Sequence, residues 1–191
     1  MKLKEGMLLF HGSYAPVEAI DLSLCESGKD FGRGFYLTSD FNQAKSFVRT
    51  SLIKAKKRGL VPEDRDYGFV SSFRFIKIDH DVKVHEFVGT DKEWLWFISM
   101  NRRAQLAERL NVLVDSSICQ SDVIIGKIAN DTTNPVIAAY LNGLYGDVMS
   151  DRAVQIAIEQ LMPDRLKDQF CFLSEKAISC LNPQEVRKYV N

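Results

Sequence analysis

The sequence predicts a mixed α+β protein, and three observations carry that prediction. Short apolar runs with strand character alternate with longer segments of helical periodicity. Hydrophobic residues make up 46% of the 191 positions, enough to build a substantial core and to exclude global disorder. No internal repeat, low-complexity segment or linker interrupts the chain, so residues 1–191 are read as a single domain.

Met7 to Phe10 reads as a buried strand and Tyr14 to Lys29 as a loop with local packing. Phe35 to Thr38 is a second strand. Ser39 or Asp40 then caps a helix running to about Lys57. Ala44, Phe47, Val48 and Leu52 are expected on its buried face, and Gly59 ends it. Lys54, Lys56, Lys57 and Arg58 in its last turns suit the negative end of the helix dipole better than a nucleic-acid patch. Leu60 to Asp66 is a polar turn. Phe69 to Ile78 alternates as a strand with Phe73 and Phe75 on one side, and Val82 to Phe87 gives another. Asp91 is expected to start one helix reaching Leu110, with Trp94, Phe97 and Ile98 as its apolar stripe. Asp122 to Ile128 is a strand, Asn134 to Leu144 and Asp151 to Leu161 are helices, and Phe170 to Leu173 is expected to be the last strand. Pro183 is expected to open a terminal helix.

Bulk chemistry excludes several classes. Lys+Arg 25 balances Asp+Glu 25, so no global basic field draws in nucleic acid. Cys25, Cys119, Cys171 and Cys180 form no CxxC pair and have no His at ligand spacing. They read as buried small hydrophobes in a reducing compartment, with no metal site. The N-terminal apolar run is too short for a signal peptide, and no stretch approaches a membrane span. A cytoplasmic protein is the simplest expectation.

The chemistry concentrates in FHGS at 10–13 and DFGRGFYLTSDFNQA at 30–44. Gly32 and Gly34 let main chain approach a ligand closely, Tyr36 offers an aromatic face, and His11 and Ser13 offer hydrogen-bonding groups beside Gly12. Side by side, the two elements form a pocket suited to a flat heterocycle joined to a ribose. Asp30 either caps the turn or contacts a ligand. Asn101 and Arg102 either line a cleft or form an ion pair at a helix end. Asn130, Asp131 and Thr132 either cap a helix or belong to a ligand loop. His80 and His85 have no evident partner.

LLFHGS, GRGFYLTSDFNQAKSF and QFCFLSEKAISCL resemble, in order, the three core motifs of the ADP-ribosyltransferase superfamily, in its poly(ADP-ribose) polymerase and diphtheria-toxin branch. More narrowly, the chain is similar to a bacterial family sharing the DFGRGFYLT pattern. That family also shares an EW-x-x-FI-x-x-NR segment (Glu93, Trp94, Phe97, Ile98, Asn101, Arg102) and a D-x-x-IG segment (Asp122, Ile125, Gly126). The resemblance implies a split β-core of two small antiparallel sheets with flanking helices, and NAD as the substrate. It implies that His11 bonds the adenine-side ribose, that Gly12 holds the nicotinamide amide through its backbone, and that Ser13 supplies a hydroxyl beside it. Gly34 belongs to the cofactor-binding set, and Tyr36 stacks on the nicotinamide ring.

The chain departs from the family at the third motif, where Gln169 stands in place of the catalytic Glu. A carboxylate there stabilises the oxocarbenium-like sugar as the nicotinamide–ribose bond breaks, and a neutral amide does so less. Asp168, Glu175 and Asp131 are the nearby acids able to substitute. The resemblance therefore implies mono-ADP-ribosyl transfer to an acceptor (a protein, a nucleic acid or a small molecule) rather than chain building. A silent NAD- or ADP-ribose-binding module and an NAD glycohydrolase are the alternatives.

Overall fold

A computed structural model describes residues 2–78, 80–128, 133–161 and 166–190. It is a mixed α/β structure of two small sheets with helices around them. Strands β1 (Leu8–Ser13), β3 (Tyr67–Phe75) and β7 (Leu181–Val190) form one antiparallel sheet in the order β1-β3-β7. Strands β2 (Phe35–Leu37), β6 (Asp168–Phe172), β5 (Val123–Lys127) and β4 (Val84–Glu86) form the other, in the order β2-β6-β5-β4. The helices are α1 (Phe41–Lys57), α2 (Lys92–Arg102), α3 (Ala104–Asn111), α4 (Ser116–Cys119), α5 (Asn134–Leu141), α6 (Asp151–Leu161) and α7 (Glu175–Ile178).

Strand alternation builds the layers. Leu9, Phe73 and Phe75 on the three-stranded sheet meet Phe35, Leu37, Val123, Ile125, Phe170 and Phe172 on the four-stranded sheet, all buried, in a core between the two. The opposite face of the four-stranded sheet, including Ile124 and Cys171, packs on Trp94, Leu95 and Ile98 of α2 and on Ile137, Tyr140, Ala153 and Val154. Helix α1 covers the outer face of the three-stranded sheet, where Ala44 and Val48 pack on Val70. It begins as expected, with the Asp40 carboxylate accepting from Gln43 N, and it ends at Gly59, whose φ is +67°. There Gly59 N donates to Lys56 O and Leu60 N to Ala55 O, the paired bonds of a left-handed glycine cap.

Several expectations are corrected. Leu181–Val190 is a strand, not the helix that Pro183 was expected to open. Pairing there covers what would otherwise be the bare edge of β3, and Pro183 is tolerated at the register shift near Ser72 and Phe73. The helix from Asp91 breaks at Arg103, whose backbone is extended (φ −132°, ψ 101°), giving α2 and α3 in its place. The four-stranded sheet is not wholly antiparallel. β4 joins β5 in parallel, as a connection that crosses over through α2, α3 and α4 requires. Phe47 is 44% exposed rather than on the buried face of α1. All four cysteines are free thiols, but Cys119 is exposed and Cys25 half-buried. Among the described residues, no helix is long and apolar enough to cross a membrane.

Candidate functional site

Besides their shared core, the two sheets are joined by an isolated main-chain bridge. Phe10 and Thr38 exchange both main-chain bonds, Phe10 N to Thr38 O at 2.8 Å and Thr38 N to Phe10 O at 3.0 Å. In a β-ladder every second residue turns its main-chain groups the same way. Gly12 and Tyr36 therefore aim theirs at the same gap, yet no second main-chain pair follows. The strands part there, and the His11 imidazole enters the gap, Nδ1 donating to Tyr36 O at 2.9 Å. A carbonyl only accepts, so Nδ1 carries the proton of the neutral ring and Nε2 is left as an acceptor. Burial lowers the His11 pKa, against a smaller raising effect of that bond, so the neutral ring is favoured.

The His11 ring lies 4.6 Å from that of Phe35, on the inter-sheet side of β2. Tyr36 is the next residue, so its phenol points to the other side, under the segment 30–34. There its hydroxyl accepts from Phe31 N at 2.9 Å and donates to Gly32 O at 2.8 Å. Burial raises the Tyr36 pKa far beyond physiological pH, so this donor persists. Cys171, directly opposite Tyr36 on β6, is likewise held as a thiol by burial.

Gln169 shares that face of the sheet and is buried. Its Nε2 donates to Asp30 Oδ2 at 3.1 Å. Arg102, the last residue of α2, grips the same carboxylate, with Nη2 at 2.6 Å and Nε at 2.7 Å from Oδ1, and Nη1 donates to Asn134 at 2.8 Å. The Asp30 and Arg102 side chains are 9% and 18% exposed, so the pair is largely removed from water. Asp30 thus neither caps its turn alone nor stands free. It joins the loop, the end of α2 and β6, and it is the acid nearest Gln169 among those placed here.

The glycines of the motif serve packing. Gly32 has φ +90°, and a Cβ on it would lie 3.2 Å from Asn101 Oδ1. A Cβ on Gly34 would meet Cys171 Sγ at 2.6 Å and Phe172 O at 2.7 Å, and one on Gly12 would overlap the main chain of Ala44. Gly126, opposite Gln169, leaves the space that Phe31 fills, since a Cβ there would sit 2.9 Å from the Phe31 ring. Phe31 then joins Phe87 and Phe97 in an aromatic cluster.

Of the other sequence candidates, Ser13 accepts from Ala15 N at 3.3 Å, a turn at the end of β1. Asp168 pairs with Lys127 at 3.2 Å, and Glu175 is exposed in the first turn of α7. Asn130, Asp131 and Thr132 lie outside the described residues. His85 packs its ring on Phe87, with Nε2 buried and unbonded. The structure thus brings Tyr36, Gln169 and Asp30 together under one loop and ties His11 to the main chain of Tyr36. It sets the imidazole and the phenol on opposite sides of β2. Asp30, Arg102 and Gln169 were each marked in the sequence, and Arg102 forms the helix-end ion pair; its partner, and the part of Asn134, carried no sequence signal, because no local pattern joins residues so far apart.

This geometry defines a two-sheet protein with a splayed strand edge and a buried Asp–Arg–Gln clasp beside it. The chain belongs to the family described as "Protein of unknown function (DUF3990)", whose model matches residues 7–182 and so spans all of these positions. No curated protein and no solved structure is significantly similar to it.

Proposed function

We propose that this chain consumes NAD as an ADP-ribosyltransferase-like protein, breaking the nicotinamide–ribose bond and passing ADP-ribose to an acceptor. The observation that carries the reading is the opening between β1 and β2. Two strand edges meet at Phe10 and Thr38 and then part, turning the main-chain groups of Gly12 and Tyr36 into a gap bordered by His11. The Gly12 main chain, not paired across the opening, suits a planar carboxamide, and the bare Nε2 of His11, whose Nδ1 already holds the Tyr36 carbonyl, suits a ribose hydroxyl. Tyr36 stacking belongs to this reading only if the segment 30–34 lifts, since the phenol is bonded to Phe31 and Gly32. The Asp30 carboxylate, one hydrogen bond from Gln169, is the charge this reading has in place of the family's Glu.

Purified protein incubated with NAD should release nicotinamide, and Tyr36→Ala should abolish release. Equal turnover by Tyr36→Ala refutes the assigned site. A second reading, a silent NAD- or ADP-ribose-binding module, is favoured by the commitment of Asp30 to Arg102 beside a neutral Gln169. Calorimetry with NAD separates the two, because binding without nicotinamide release supports the module. Release with water as the only acceptor identifies a glycohydrolase.

A further inference from the structure

The inner face of the three-stranded sheet continues past the core. Its odd-numbered β3 positions run from Phe75 and Phe73, both buried, through Ser71 to Phe69 and Tyr67, which are half-buried. Lys188 of β7 stands directly opposite Phe69, with its ammonium 3.6 Å from the centre of the Tyr67 ring. The Arg65 guanidinium carbon is 4.5 Å from the same ring and 5.8 Å from that of Phe69. The two rings meet edge to face at 6.0 Å. Arg65 is oriented by main chain, Nη2 donating to Tyr14 O at 2.6 Å and Nε to Tyr67 O at 3.2 Å. That leaves Nη1 without a bond among the described residues.

Both cations sit on one ring, within about 8 Å of each other, the distance over which physiological salt screens charge. Among the described residues neither forms an ion pair with a carboxylate, and the neighbouring Glu63, Asp64 and Asp66 are exposed. Two like charges within this distance repel, and an anion that reaches both relieves that. A guanidinium and an ammonium that share one ring both match phosphate oxygens, and the half-buried Phe69 next to them is the kind of ring on which a base stacks.

We propose that Arg65 and Lys188, on the Tyr67–Phe69 shelf, bind the phosphate of a nucleotide. The site lies on the far end of the sheet face that carries His11, about two to four residues along the strands, and it does not rest on the transferase reading. The test is calorimetric titration of ADP, and separately of an eight-nucleotide single strand, into wild type, Arg65→Ala, Lys188→Ala and Lys188→Glu. Lys188 is exposed, so its variants retain the fold, which thermal unfolding checks. Each alanine variant should weaken binding about tenfold, and Lys188→Glu more. Binding of ADP identifies an isolated nucleotide as the ligand, and binding of the strand alone identifies a polynucleotide. The proposal is overturned if wild type binds neither probe. It is equally overturned if all variants bind like wild type, which would put the nucleotide elsewhere, the β1/β2 opening included. Nicotinamide release is not the readout, so the two proposals fail separately.

Discussion

Replacing Asp30 with alanine tests the clasp directly. The substitution removes the carboxylate that Arg102 grips at 2.6 and 2.7 Å and strands the Gln169 amide in a buried position. Breaking a buried ion pair by deleting one partner costs about 3–5 kcal/mol. An orphaned buried donor costs about 1–3 kcal/mol. Arg102 keeps Asn134 and is 18% exposed, which reduces the first figure, so a net loss of about 3–4 kcal/mol is expected. With a urea m-value of about 2 kcal/mol per molar, the unfolding midpoint should fall by roughly 1.5–2 M. The double variant Asp30→Ala/Arg102→Met removes the guanidinium as well, and it should recover about 1–3 kcal/mol relative to the sum of the single changes. Urea denaturation followed by circular dichroism measures all four proteins. A loss under about 1 kcal/mol for Asp30→Ala, or strict additivity in the cycle, would refute the argument that this pair fastens the loop to α2.

Two further outcomes follow from the same site. Gly32→Ala should destabilise the fold by about 1–2 kcal/mol, because φ is +90° and the new methyl would crowd Asn101; an unchanged thermal midpoint contradicts this. The folded-state pKa of His11 lies below its unfolded value of about 6.5, so the unfolded chain takes up the proton first. The stability this contributes is complete above that pH and declines as pH falls from about 7 through the folded pKa. His85 shifts in the same direction, also through burial, so His11→Gln should lessen the loss of urea stability between pH 7.5 and 5 without removing it. An identical pH slope in the variant counts against a buried neutral His11.

Local signals were legible where a segment's own residues satisfy it. Asp40, the spacing of Ala44, Val48 and Leu52, and Gly59 specify α1 without reference to anything distant, and α1 spans Phe41–Lys57 as expected. The strand character of Val123–Lys127 was readable for the same reason, from the consecutive β-branched residues Val123, Ile124 and Ile125. The sequence also marked Tyr36, Gln169, Asp30 and Arg102 as residues worth locating. Their arrangement was a tertiary decision. Asp30 meets Arg102 across 72 residues and Gln169 across 139, and no local pattern encodes such a pairing. β7 was misread because Pro183 favours a helix start locally, whereas the open edge of β3 needed a partner for its main-chain groups. The opening beside His11 has the same origin: whether two strand edges stay paired or part depends on how two sheets pack, and only the assembled fold sets that.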